Sequence, residues 1–201
     1  LNNLIDTQGR EDVIARKQLE RLLTSLDLDP ALAGRVVDWL DAHAQPHFPD
    51  GAEDEVYAGM DPPYRTPNSM ITTPSELMAI AGFDRETYAA IAPYVTALPI
   101  GTTLNVNTAS AIVLASLSDD IDLAAAQGLV EQRGGADFAD IDATFEGLVE
   151  ADVLQRIDGV SQHFLLTATV SLGTTQLTMY SVLQRDSSGI TRPLFRSLGV
   201  P

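Results

Sequence analysis

The sequence predicts an α+β protein in which a long helical region precedes a short antiparallel sheet. Three observations carry this. From about residue 7 to 157, apolar residues recur at helical spacing, with capping residues before the runs and Gly or Pro after them. From about 159 to 201 the pattern changes to β-branched and apolar residues in rough alternation, broken by short polar turns. The 201 residues are 45% hydrophobic and 20% charged, enough for one large or two small domains with real cores.

The helices follow from their local signals. Leu19, Leu22, Leu23 and Leu26 form one apolar stripe. Asp29-Pro30 reads as an N-cap with proline at the first helical position, and Leu32, Val36, Val37 and Leu40 as the buried face behind it. Thr73-Pro74-Ser75-Glu76 is a capping-box sequence opening a helix with Leu77 and Ile80 that stops at Gly82. Asp84 caps the next helix, with Tyr88, Ile91 and Val95 inward and Pro93 dividing it. Asn107 or Thr108 opens a helix bearing Ile112, Val113 and Leu117. Asp122 caps one with Leu123, Ala126, Leu129 and Val130, ended by Gly134.

The strands come last. His163 to Val170, Leu177 to Leu183 and Ile190 to Leu198 are separated by the turns Leu172-Gly173-Thr174-Thr175 and Asp186-Ser187-Ser188-Gly189. Pro193 places the third strand at an edge or at an irregularity, because proline cannot donate to a ladder. A three-stranded meander is barely stable alone, so its apolar face needs a cover that no neighbouring helix in the sequence supplies.

Charge and composition exclude several functions. The formal net charge of −16 opposes binding to nucleic acid or to an anionic membrane surface. With no cysteine there is no disulfide, zinc–thiolate site or thiol nucleophile. No apolar run reaches the ~18 residues of a membrane span, and no signal peptide opens the chain. Leu1-Asn2-Asn3-Leu4-Ile5 begins abruptly without an initiator Met, as expected of a piece trimmed from a longer, anchored protein.

The stretch from Asp38 to Asp61 holds seven carboxylates (Asp38, Asp41, Asp50, Glu53, Asp54, Glu55, Asp61) and no Lys or Arg, with Pro46, Pro49, Gly51 and Gly59 interrupting regular structure. A long irregular loop in a compact domain needs a reason, and crowded like charges need a cation. Calcium takes oxygen ligands, so Asp41, Glu53 and Asp54 are the candidate carboxylates, with Asn68 and nearby carbonyls to complete the shell. The spacing is not that of an EF-hand, and on charge pattern alone a solvated loop without an ion competes equally. His43 and His47 lie beside these acids, four residues apart, but Pro46 breaks the helix that would align their rings. They read as two surface histidines rather than a zinc site.

Leu104 to Ala109, the helix after it, and Asp122 to Arg133 resemble a helix-hairpin-helix unit, and Ser75 to Val95 a second. In the first, Ser118-Asp119-Asp120-Ile121-Asp122 puts aspartates where DNA phosphate would sit, so the unit reads as a packing module. No G-x-S-x-G, P-loop or H-E-x-x-H motif is present, and Asp186-Ser187-Ser188-Gly189 is a hairpin turn rather than a protease signature.

The run Leu1 to Ile5, Trp39-Leu40-Asp41, Gly51-Ala52-Glu53-Asp54, Tyr57, Pro62-Pro63-Tyr64-Arg65, Asn68, Ser75-Glu76-Leu77 and Asn105-Val106-Asn107-Thr108-Ala109 resembles, in order, the K-type minor pseudopilins of bacterial type II secretion. The resemblance implies a pilin-like antiparallel sheet with a large inserted all-helical domain. The sheet part is expected over 1–6 and 159–201, with Leu1–Ile5 as one of its strands. The helical insertion is expected over 7–158, with an acidic metal-binding loop over 41–68. It implies a calcium ion and an N-terminal hydrophobic helix, absent here, that packs on the meander and anchors the protein in the inner membrane. It also implies a non-enzymatic periplasmic role at the pseudopilus tip with I-type and J-type partners, and contact with secreted substrates. The family often carries a second Asp after the tryptophan where this chain has His43, which puts the number of ions in question.

The expected function is therefore an assembly subunit without enzymatic activity. The alternatives are a helix-hairpin-helix nucleic-acid-binding protein and, behind it, a metal-dependent hydrolase using His43, His47 and the acidic loop.

Overall fold

The computed structural model describes residues 1–198; the last three positions of the C-terminal segment expected over 159–201 lie outside the described residues. The chain divides into two compact units, Leu1–Gly159 and the residues from Val160 on.

The first unit is helical and holds two apolar cores. One is built on α1 (Val13–Ser25) and α2 (Leu32–Leu40). The Asp12 carboxylate accepts from the N–H groups of Ile14 and Ala15 and so starts α1. The predicted stripe Leu19, Leu22 and Leu23 is buried against the predicted face Leu32, Val36, Val37 and Leu40. Asp29 does hold the entrance to α2, accepting from the Ala31 N–H at 3.0 Å, but regular helix begins only at Leu32, two residues after Pro30. Short α3 (Asp54–Tyr57), a 3₁₀ turn over Pro74–Ala79, and α4 (Arg85–Ile91) complete this core. The Glu76 carboxylate accepts from the Thr72 and Thr73 N–H groups, as the capping sequence requires. Asp84 caps α4, and a separate 3₁₀ turn, Ala92–Tyr94, begins beside Pro93.

The second core gathers Val106, Leu114, Leu117, Ala126, Leu129, Phe145, Val153 and Ile157. It comprises β1 (Leu104–Asn105), α5 (Ala111–Ala115), α6 (Leu123–Arg133), α7 (Ile141–Phe145), α8 (Ala151–Leu154) and β2 (Ile157–Asp158). β1 and β2 pair in parallel, a contact the sequence does not announce, since only two residues take part on each side. The helix expected from Asn107 or Thr108 starts later, capped by Ser110. Its deepest residues are Leu114 and Leu117, with Ile112 and Val113 only partly buried. Asn105 explains the delay: its carboxamide oxygen takes the Asn107 N–H, closing a turn first.

Leu1–Ile5 is not a strand of the sheet. Asn2–Leu4 is a 3₁₀ turn, and Ile5 forms a lone antiparallel bridge with Glu11. Leu4 and Ile5 are buried in the first core. The Asn2 side chain is tied at both ends to the backbone of Ile71, donating to its carbonyl and accepting from its N–H, each at 2.9 Å. These bonds satisfy a buried polar group, which fixes the segment in the helical unit.

The second unit is the predicted meander: β3 (His163–Leu172), β4 (Thr175–Arg185) and β5 (Thr191–Leu198), antiparallel in the order β3-β4-β5. Pro193 lies on edge strand β5, opposite Leu183, where the register shifts between Val182 and Leu183. Direct pairing puts Phe164 beside Leu183, Ala168 beside Met179 and Val170 beside Leu177. With Leu166, Leu172 and Leu198 they share one face, because alternate residues of a strand point the same way. The other face is mixed, carrying Thr167, Thr169, Ser171, Gln176, Thr178 and Gln184 together with Leu165, Tyr180 and Val182.

Candidate metal centre

The site grows from the end of α2. Asp38 and Asp41, three residues apart, fall on the same side of the last turn, and both are fully buried. Asp41 closes the helix in an extended conformation, and the chain then turns back so that the loop lies over these two carboxylates. Gly51 permits the close approach. A Cβ there would run into the Asp38 carboxylate and the His47 backbone, and its N–H donates to the His47 carbonyl at 2.7 Å. Trp39, Tyr57 and Tyr64 pack beneath the loop, with Trp39 and Tyr57 edge to face at 5.4 Å.

The histidines are brought together, contrary to the sequence expectation of two surface rings. Pro46 does end helical geometry, but the loop performs the alignment instead, leaving the ring centroids 5.3 Å apart. His47 is largely buried. Its Nδ1 contacts Asp38 Oδ1 and lies 3.4 Å from Asp41 Oδ2, while its Nε2 lies 3.2 Å from Glu11. His43 is half exposed; its Nδ1 lies 3.1 Å from Asp41 Oδ1, which also accepts its backbone N–H. Asp41, His43 and His47 can each turn one ligand atom to within 4.8 Å of the others.

The four residues expected to hold calcium are placed unequally. Asp41 Oδ2, Glu53 Oε1 and Asn68 Oδ1 are buried oxygens without a hydrogen-bond partner among the described residues. Burial raises the pKa of Asp41, and its neighbours His43 and His47 only partly oppose this. Burial likewise raises that of Glu53, aided by the fields of Asp38, Asp41 and Asp54 and opposed by the Thr66 hydroxyl. Asp54 is more open. Its Oδ1 accepts from the Thr66 N–H and hydroxyl at 3.2 Å, and its Oδ2 faces Arg65 at 3.7 Å. Asn68 adopts a positive φ of 43°, a conformation asparagine tolerates.

Such buried oxygens need a cation or a proton. The carboxylate and imidazole atoms that lie within 4.8 Å of one another among the described residues are those of Asp41, His43 and His47, and neither Glu53 nor Asp54 joins that group. Asp38 and Gly51, counted in the acidic stretch but not among its candidate ligands, and Glu11, which the sequence did not single out, belong to the site. The signals were present: Asp38 interrupts an otherwise apolar helix end three residues before Asp41, and Gly51 directly precedes the acidic run. Glu11 carried no local signal, since only the fold brings the start of α1 to the loop.

The acidic turn Ser118–Asp122 between α5 and α6 does not present a free anion-binding surface. Asp119 takes the Arg21 guanidinium in a two-pronged pair at 2.7 and 2.8 Å.

Two family models, both described as type II secretion system (T2SS), protein K, match residues 1–100 and 104–162. Among curated relatives, the type II secretion system protein K of Pseudomonas aeruginosa is 34% identical over 192 residues, covering 91% of this chain and 56% of the relative. That of Klebsiella pneumoniae is 31% identical over 206 residues, covering 92% of this chain and 62% of the relative. The chain thus spans only somewhat over half the length of these relatives. In fold it is similar, over its whole length, to a chain of the GspK-GspI-GspJ complex from the enterotoxigenic Escherichia coli type 2 secretion system. That likeness has a TM-score of 0.85 at 22% identity and covers 75% of the other chain. The match to the family models across both helical cores, with relatives above 30% identity, places this chain in the type II secretion system protein K family.

Proposed function

We propose that this chain is the periplasmic part of a minor pseudopilin that assembles at the tip of the type II secretion pseudopilus. In this reading it acts by binding, without enzymatic activity, and the full-length protein is anchored in the inner membrane. Membership of the protein K family carries the reading. The similar fold comes from a complex named for a K, an I and a J component. On that ground the partners assigned here are the I-type and J-type minor pseudopilins.

The sheet supports an assembly role. Its apolar face leaves Phe164, Leu166, Val170, Leu172, Leu177 and Leu198 each more than two-fifths exposed, a contiguous patch of the kind that marks a protein contact. The occupant assigned to it is the hydrophobic N-terminal helix that the family resemblance implies. Among the described residues no helix is long and apolar enough to cross a membrane.

A structural calcium ion belongs to the same reading. Asp41 and Glu53 would hold it through their partnerless oxygens, with the Asn68 carboxamide and the more open Asp54 as further donors. The ion would neutralise the buried carboxylates and fix the loop to α2 and α3.

Co-expression with the I-type and J-type subunits tests the function. A stable complex that co-purifies, together with loss of type II export on deletion of the gene, is the expected result. Failure to associate in the presence of calcium would refute it.

A further inference from the structure

The geometry points to a second cation site, formed by Asp41, His43 and His47, that takes a borderline divalent transition metal such as Zn²⁺ rather than calcium. The ring Nδ1 atoms lie against opposite oxygens of one carboxylate, His43 at 3.1 Å from Oδ1 and His47 at 3.4 Å from Oδ2. One ligand atom from each of the three residues falls within 4.8 Å of the others, close enough for a single ion to meet all three.

An unsatisfied atom points the same way. Asp41 is completely buried, yet its Oδ2 has no hydrogen-bond partner among the described residues and lies 3.4 Å from His47 Nδ1. Around His47 the carboxylates of Asp38, Asp41 and Glu11 gather on a single imidazole, leaving an excess of negative charge. Arg16, which pairs with Glu11 from the far side, is shared with Glu20. A divalent ion supplies the missing charge.

The donor types select the ion. Calcium prefers six to eight oxygens, whereas two imidazoles and a carboxylate suit zinc, cobalt or nickel. Three protein ligands leave a position for water. The half-exposed His43 gives the ion a route from solvent, and Glu11, 3.2 Å from the far ring nitrogen Nε2 of His47, fixes that ring as an outer partner of a metal-bound histidine does, while Asp38 Oδ1 beside Nδ1 is placed as a further oxygen donor. The site shares only Asp41 with the proposed calcium site, and its role would be to pin the loop to the end of α2.

The test uses chelator-stripped protein re-equilibrated with saturating Ca²⁺ and then titrated with Zn²⁺ by calorimetry. One equivalent of Zn²⁺ is expected to bind, and the same titration without Ca²⁺ separates the two ions. In the unaltered protein, NMR ring signals of His43 and His47 should shift on Zn²⁺ addition while His163, on β3, stays put. His43→Ala, at a half-exposed ring, should weaken Zn²⁺ binding at least tenfold and leave Ca²⁺ binding unchanged. Co²⁺ should give the visible absorption of a nitrogen-ligated ion, lost in the same variant. The proposal is overturned if folded protein binds no Zn²⁺, or if Zn²⁺ moves neither ring. It is equally overturned if His43→Ala leaves Zn²⁺ affinity intact or abolishes Ca²⁺ binding instead. Loss of Ca²⁺ response on Glu53→Gln with Zn²⁺ binding retained would keep this site while separating it from the calcium reading.

Discussion

The helical unit and the sheet handle their apolar residues in opposite ways. In the helical unit Leu23, Val36, Val37, Tyr57, Leu77 and Ile91 are sealed within one core and Leu114 and Phe145 within another. In the sheet nearly every strand residue stays partly or fully open, and Ser181 alone among the described strand residues β3–β5 is buried. The helical unit therefore holds its own stabilising contacts. The sheet has satisfied its backbone but not its side chains, which is how a surface built to receive another element behaves. The same contrast recurs in electrostatics: the helical unit buries charges it does not fully pair, whereas the sheet buries none.

Truncations should expose this contrast most sharply. Tyr57→Ala or Leu23→Ala is expected to cost about 3–5 kcal/mol in urea unfolding, because each leaves a cavity in a closed core. Val170→Ala on β3 should cost under about 0.5 kcal/mol by the same measurement, as its side chain is already in water. Equal costs would break the comparison. Gly51→Ala should also destabilise strongly, by about 2 kcal/mol or more, since the added methyl group meets the Asp38 carboxylate and the His47 backbone.

Metal removal ranks next. At a hundredfold excess over Kd, an ion bound only to the native state adds about 2.7 kcal/mol. For a domain of this size, chelation should then lower Tm by roughly 5–10 °C. Glu53→Gln should reduce that response, and an unchanged melt in chelator would remove calcium from the account.

The pH dependence sharpens the electrostatic half. Burial raises the Asp41 and Glu53 pKa values in the folded chain above their ordinary 3.8 and 4.5. Their contribution to stability is therefore fully present below those values and is lost as pH rises through the raised ones. In chelator, melting scans should show stability falling as pH rises above the ordinary carboxylate range, a loss that Asp41→Asn diminishes and that added cation suppresses. Asp84 and Asp119 act in the other direction. Hydrogen bonds to Thr87 lower the first and the Arg21 guanidinium lowers the second, so their contribution grows as pH rises and is lost in acid. The comparison of variant with parent isolates the buried pair.

The smallest effect belongs to the sheet in isolation. Leu166→Glu should leave urea unfolding of this chain nearly unchanged, yet weaken assembly of the full-length protein, measured by co-purification with the partner subunits. Undisturbed assembly would show that the apolar face is not a contact surface.

Local chemistry made much of this fold legible. Caps at Asp84 and Asp122, the leucine stripe of α1, the face of α2 and the place of Pro193 depend on residues within one or two turns or on one strand pair. The resemblance misled at Leu1–Ile5. A pentapeptide with Leu1, Leu4 and Ile5 around two asparagines fits a strand as well as a buried turn, and the bonds from Asn2 to Ile71, across 69 residues, decide between them. His43 and His47 misled for the opposite reason. Proline does forbid a shared helical face, but a loop folded over α2 can bring two rings together by another path.

By itself, then, the sequence determined the α+β division, the helix and strand periods, the acidic loop and its candidate oxygens, because these follow from spacing, capping and charge along the chain. Tertiary structure alone decided which of those oxygens lost their partners, that Asp38 and Glu11 surround His47, and that the sheet's apolar face stays open. Burial and pairing are properties of residues distant in sequence, settled only when loop closure and packing bring them together.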